Sequence, residues 1–280
     1  MFSMLLGGWG IVTLGLFLAT FAGSIVEDQL LMTRDGRFIV QAVVMSLIVV
    51  PSILYFYQRL YRVTGKPTRP VYSLKRAHHF FTGFFLAIGL FFVGLFISSS
   101  LGWLTIDQWH APQYWIGAFL FNMLIAFFYE ALPEELALRG FVYDVLRHRF
   151  TVWFSVFIQT LLFVGVSIGV SVLQVIVGMV PVENIFIIPS MILLFFFGIA
   201  LALMRLWTDS LWASIGFHLG YLEISRFLIM PTEYGAPPIM TFQDTITYGA
   251  GASFLIMFII MGASFILLIL LGMKRMRKKE

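Results

Sequence analysis

An all-α, polytopic membrane helix bundle of about eight transmembrane helices is the fold class this sequence predicts, on three observations. Sixty per cent of the 280 residues are hydrophobic and only 11% are charged. A soluble domain must cover its outside with polar groups, whereas lipid removes that requirement. Apolar runs recur at the length a helix needs to cross a hydrocarbon core, roughly 20 residues. Finally, Lys and Arg collect at alternate ends of those runs.

The runs fall at about 3–26, 38–60, 80–104, 115–146, 151–169, 185–207, 210–230 and 250–273. The segments between them are short, so the expectation is one integral membrane domain over 1–280. The first run has no Lys or Arg in Met1 to Gly10 and outlasts a signal-peptide core, and it reads as a retained helix. The fourth, from Trp115 to Leu146, is too long for a simple span and contains Pro133. Proline removes a backbone donor and crowds the preceding turn, so a kink or break is expected there, with a second helix starting near Glu134. Val170 to Glu183 is apolar but interrupted by Gly178 and Pro181, and reads as an outer loop or interfacial helix. Pro231 to Tyr248 holds three prolines and no clear period.

Fifteen of the 18 Lys and Arg residues fall on one side of an eight-span arrangement. They include Arg59, Arg62, Lys66, Arg69, Lys75 and Arg76, then Arg139, Arg147 and Arg149, then Arg205 and the tail from Lys274 to Lys279. Arg34, Arg37 and Arg226 lie towards the other side. Cytoplasmic loops carry such an excess, so both termini are expected in the cytoplasm of a cell-membrane protein. The same placement beside membrane segments accounts for the net charge of +4 without a nucleic-acid partner. There is no cysteine, which excludes disulfides and thiolate metal sites.

Ionisable side chains inside a bilayer cost about 2.5–3.5 kcal/mol each on insertion scales and therefore point to function. They concentrate in two places: Glu130, Glu134, Glu135 and Arg139 on the fourth run, and His218, Glu223 and Arg226 on the seventh. Glu135 and Arg139, four apart, share a helix face and can neutralise each other. Glu134 then becomes the carboxylate placed to take a proton from water as a general base. Glu223 and Arg226, three apart, read as an outward-facing ion pair near the outer interface. Trp103, Trp109 and Trp115 read as interface anchors around an outer loop.

The string Glu134-Glu135-Leu136-Ala137-Leu138-Arg139-Gly140 resembles the EExxxRG signature of the CPBP family, intramembrane glutamate endopeptidases related to CAAX prenyl proteases and to bacteriocin-processing and immunity proteins. Phe197-Gly198-Ile199 through Arg205, then Thr208 to His218, resembles the run-up and histidine of that family's third motif. Phe163-Val164-Gly165-Val166-Ser167 sits where the second motif, FxxxH, belongs. The resemblance covers about 115–230 and implies a protease-like core there. It further implies that Glu134 activates water, that Glu135 and Arg139 form a structural pair, and that His218 holds the oxyanion. Ser167 replaces the second-motif histidine, and Leu222 stands where the third motif places Asn. Counted back from the basic turns at about 1.5 Å per residue, Glu134 lies roughly 20 Å deep, Ser167 25 Å and His218 14 Å, depths that tilt can bring to one level.

The rival chemistries are weaker. Glu134, Glu135 and His218 could ligate a metal, but the spacing is not HExxH. A Ser167 nucleophile competes with the ordinary packing role of serine in membrane helices. The function expected is therefore hydrolysis of a peptide bond in or beside the membrane through a glutamate-activated water, with no cofactor and no metal. The partner would be a membrane protein or peptide substrate within the lipid bilayer. A catalytically impaired protease-derived scaffold or immunity protein is the alternative, and a transporter the second, though internal repeats are not evident.

Overall fold

The computed structural model describes residues 1–65, 73–230, 238–246 and 249–277. The basic residues Lys66, Arg69, Lys278 and Lys279, and the start of the proline-bearing outer loop at Pro231, lie outside the described residues. Among the described residues eight helices follow one another: α1 (Phe2–Asp28), α2 (Arg34–Thr64), α3 (His79–Ser100), α4 (Pro112–Arg147), α5 (Val152–Ile176), α6 (Ile188–Thr208), α7 (Leu211–Ile224, prolonged by a π turn over Ser225–Ile229) and α8 (Ala250–Met276). Among the described residues seven of these segments are, by length and composition, able to cross a membrane. The eighth, α7, is shorter and almost wholly buried, as a helix apolar on all sides must be.

Two expectations need correction. Pro133 does not break α4. The helix instead widens into π turns over Phe127–Ala131 and Glu135–Val142, with one α turn, Leu132–Glu134, between them. A π turn accommodates the missing proline donor at the cost of a freed carbonyl. Ser46 on α2 supplies the compensation, its hydroxyl donating to the Phe128 carbonyl at 2.6 Å. The apolar stretch after Gly169 is no loop: α5 continues to Ile176 and stops where Gly178 takes φ = +75°. Among the described residues there is also one strand pair, β1 (Leu104–Trp109) antiparallel to β2 (Met240–Asp244), with a bulge between Ile106 and Gln108. Trp109 is the last residue of β1.

The chain forms two compact units. The first comprises Met1–Leu74 and Phe127–Ala202. Its centre is the second half of α4, whose Phe141 is fully buried, stacks on Phe56 and meets Tyr57 edge-on. Trp9 of α1 reaches across to α5, where its indole donates to the Leu162 carbonyl at 2.9 Å.

The second unit comprises Lys75–Ala126 and Leu203–Glu280. It is organised by very close packing of α3 on α7. A Cβ placed on Gly83 would stand 1.9 Å from the Ala213 carbonyl oxygen, and one on Gly216 would stand 2.0 Å from the Phe80 carbonyl oxygen. Gly220 and Ala87 meet one turn further along. Small residues four apart on both helices let the backbones touch, the arrangement that serves helix pairs in lipid, where apolar burial gives no preference for protein over acyl chain. This crossing sets the rotation of α7 and hence the heading of His218.

Gly216→Val should therefore be more damaging than its position in a short helix suggests. The added atoms meet backbone, which cannot swing aside, and overpacking of this kind costs about 1–3 kcal/mol or more. Thermal unfolding in detergent should show a drop of several degrees for Gly216→Val and little change for Gly89→Ala, where nothing lies within 4 Å of the added Cβ. Equal effects at both positions would exclude backbone contact as the cause.

Candidate active site

Within the first unit the candidate residues Glu134, Glu135 and Arg139 lie on the π-widened part of α4. Glu134 is 8% exposed, and Glu135 and Arg139 are wholly buried. Arg139 is among the largest side chains with no solvent exposure at all. Its Nη1 lies 3.1 Å from Glu135 Oε1, the i to i+4 pairing expected from the sequence. Burying an ion pair carries a desolvation penalty of several kcal/mol per ion that good geometry only partly returns. A second contact assists: the guanidinium carbon sits 4.1 Å from the centroid of the Phe163 ring on α5. A desolvated cation over an aromatic face contributes about 2 kcal/mol.

Phe163 is the first residue of the second-motif string, so this stacking gives α5 its register against α4. Successive α5 residues advance about 100° around the helix, which puts Ser167 about 40° from Phe163 and one turn beyond it. Ser167 thus falls inside the stripe that packs inward, and it is half-buried. Space beside the guanidinium is kept by Gly198 of α6, where a Cβ would lie 3.5 Å from Arg139 Nη2 and 3.0 Å from both Phe163 and Thr160.

In the second unit His218 is 3% exposed, at the middle of α7. Its neighbour in sequence, Glu223, is not outward-facing as expected. Glu223 is 2% exposed and accepts a hydrogen bond from Asn122 Nδ2 of α4 at 2.7 Å, both partners being buried. The i, i+3 spacing with Arg226 concealed this, because only the packing of α4 on α7 brings Asn122 to it. Leu222 is half-buried at the position where an Asn was expected.

Sequence reasoning therefore found the charged groups and missed the neutral ones. Thr160, Gln159 and Ser155 on α5 are fully buried in the same unit as Arg139. A census of ionisable residues passes over them, although three polar side chains within six positions of an apolar span are a detectable signal. Among the described residues no group of three or more His, Asp or Glu is arranged to hold a metal ion.

Residues 115–221 match the family model described as type II CAAX prenyl endopeptidase, Rce1-like. The match contains the whole of the Glu134–Arg139 string, Phe163, Ser167, Gly198 and His218. No curated protein and no solved structure matches the chain.

Removing one partner of the buried pair should be costly. Arg139→Ala leaves the Glu135 carboxylate in a site built around a cation, typically a loss of about 3–5 kcal/mol. The neutral double change Glu135→Gln with Arg139→Gln should recover part of that loss. Urea or thermal unfolding of the two single variants and the double variant measures the coupling, and strictly additive losses would show that the two side chains act independently.

Proposed function

We propose, starting from a chain that carries an Rce1-like membrane protease domain, that it hydrolyses a peptide bond in or beside the membrane, with Glu134 as the general base. The single observation that carries this reading is the division of labour on one buried turn. Arg139 pairs with Glu135 and stacks on the Phe163 ring, and Glu134, beside Glu135 and within electrostatic reach of Arg139, keeps 8% of its surface exposed. A carboxylate so placed can take a proton from water, and the resulting hydroxide adds to the scissile carbonyl. The proton then passes from the Glu134 carboxyl to the departing amine, so the residue ends as it began. His218 is proposed as the hydrogen-bond donor to the oxyanion formed in between. Ser167 is proposed to orient the water through its hydroxyl, in place of an imidazole. The substrate would be a membrane protein or peptide, and both termini of the enzyme are proposed to face the cytoplasm.

The substitutions at Ser167 and Leu222 favour a second reading, a protease-derived scaffold that binds another membrane protein and cleaves nothing. One series of variants separates the two. Purified protein, incubated with a library of membrane peptides, should release fragments, and Glu134→Ala should abolish release. Restoring an imidazole with Ser167→His should raise cleavage by about a hundredfold, the low end of what acid–base assistance gives. Fold must be checked first, since the larger ring risks about 1–3 kcal/mol of overpacking. Silence from both the wild type and a well-folded Ser167→His would establish the scaffold reading. Full activity unchanged in Ser167→Ala would remove Ser167 from the site.

A further inference from the structure

Hydrolysis inside a bilayer consumes one water per bond cleaved, and the residues around Arg139 suggest how that water arrives. Ser155, Gln159 and Thr160 are each 0% exposed. The Ser155 hydroxyl, both polar atoms of the Gln159 amide and the Thr160 hydroxyl have no hydrogen-bond partner among the described residues. The same is true of Arg139 Nε and Nη2. Leaving a polar group unsatisfied in an apolar interior is costly, and native structures seldom tolerate several together.

These groups are not scattered. Ser155 and Gln159 are successive turns of one α5 stripe that continues through Phe163, the residue under the guanidinium. Thr160 flanks the stripe, and its methyl group and Arg139 Nη2 both lie within 3.5 Å of the point where a Gly198 Cβ would be. Along α5 the three polar residues stand about 5, 10 and 12 Å from Val152, and Arg139 stands about 12 Å from Arg147 on α4. The polar atoms thus run from the end of the unit marked by Arg147 and Arg149 inwards to the level of the Glu135–Arg139 pair. Glu134 immediately precedes Glu135, about 7.5 Å beyond Arg139 along the helix.

We infer that Ser155, Gln159 and Thr160 form a hydrated seam that admits water from the basic end of α5 to the Arg139 guanidinium and the adjacent Glu134 carboxyl. The seam is internal to the first unit and needs no contribution from lipid-facing surfaces. Its amide and two hydroxyls supply both donors and acceptors, which a file of waters requires, and Gly198 adds no side chain at the inner end, where a Cβ would stand 3.0 Å from Thr160 and Phe163. Hydration of the seam depends only on the buried groups; its role in supplying the reaction rests on the peptidase reading.

Thiol reactivity tests hydration apart from catalysis. The chain has no cysteine, so each substitution places a single thiol. Ser155→Cys and Gln159→Cys should react with 2-aminoethyl methanethiosulfonate at least tenfold faster than Val166→Cys, a buried apolar position on the same helix, and faster than Leu161→Cys, an exposed apolar one. Only a thiol in contact with water ionises enough to react. Ser155→Cys exchanges one atom and keeps the test open should Gln159→Cys fold poorly. Rates as low as that of Val166→Cys at both positions would overturn the seam. For the link to hydrolysis, Thr160→Val and Gln159→Leu together should lower kcat at least tenfold with KM unchanged, while Thr160→Ser retains wild-type kcat. Labelling that succeeds in a protein cleaving no peptide would refute the peptidase reading and leave the seam standing. A rapid wild-type kcat that the double variant shares would sever the seam from catalysis.

Discussion

A guanidinium with no exposure to solvent, in a chain made for lipid, is the constraint from which the rest of this architecture follows. Arg139 can stay charged there only if an anion, a polarisable face and fitted space all meet it. Glu135 provides the first, Phe163 the second and Gly198 the third. Each comes from a different segment or turn, so satisfying one side chain fixes α4, α5 and α6 of the first unit against one another. The same packing accounts for a glycine in the middle of α6: a Cβ there would crowd Thr160 and Phe163 at 3.0 Å, with the guanidinium in contact at 3.5 Å. On the proposed mechanism stability and chemistry are linked at this point, since the group that holds the helices in register also engages Glu135 rather than leaving it to act as base.

Proline and glycine set the remaining geometry. Pro133, immediately before the two glutamates, forces α4 to widen, and the π turns that result are a common mark of functional positions in helices. Backbone freed by the widening is bonded by Ser46 rather than left exposed to lipid. In the second unit the glycines of α3 and α7 do comparable service, bringing backbones into contact around the turn that carries His218. Further out, Asp244 at the end of β2 accepts from the Ala252 backbone at 3.0 Å and so caps the start of α8.

The spans were legible in the sequence because bilayer thickness leaves one signal, a run of apolar residues of fixed length. Their charged interruptions were legible for the same reason. What could not be read was how neighbours resolve a local conflict. Pro133 is equally compatible with a broken helix and a widened one, and the choice rests on Ser46, 87 residues before it in the chain. Gly178 and Pro181 announce the end of a helix, yet nothing local says that the helix already runs through Val170. Glu223 looked outward because spacing reports only partners on its own helix, whereas Asn122 comes from another. The strand pair was hidden by brevity, since six residues beside a tryptophan-rich turn resemble an interfacial loop. At the candidate site the motif residues were found by type, but the polar stripe of α5 was not, because neutral side chains carry no insertion penalty large enough to stand out.

The central claim is that water, activated by Glu134, becomes part of the product. Cleavage carried out in water enriched in oxygen-18 measures that directly by mass spectrometry of the new carboxyl terminus. The account predicts one heavy oxygen per product chain from the wild-type protein, and no product at all from Glu134→Gln, which keeps the shape of the side chain but cannot accept the proton. Undiminished product from Glu134→Gln, or a covalent acyl adduct trapped on Ser167, would contradict it.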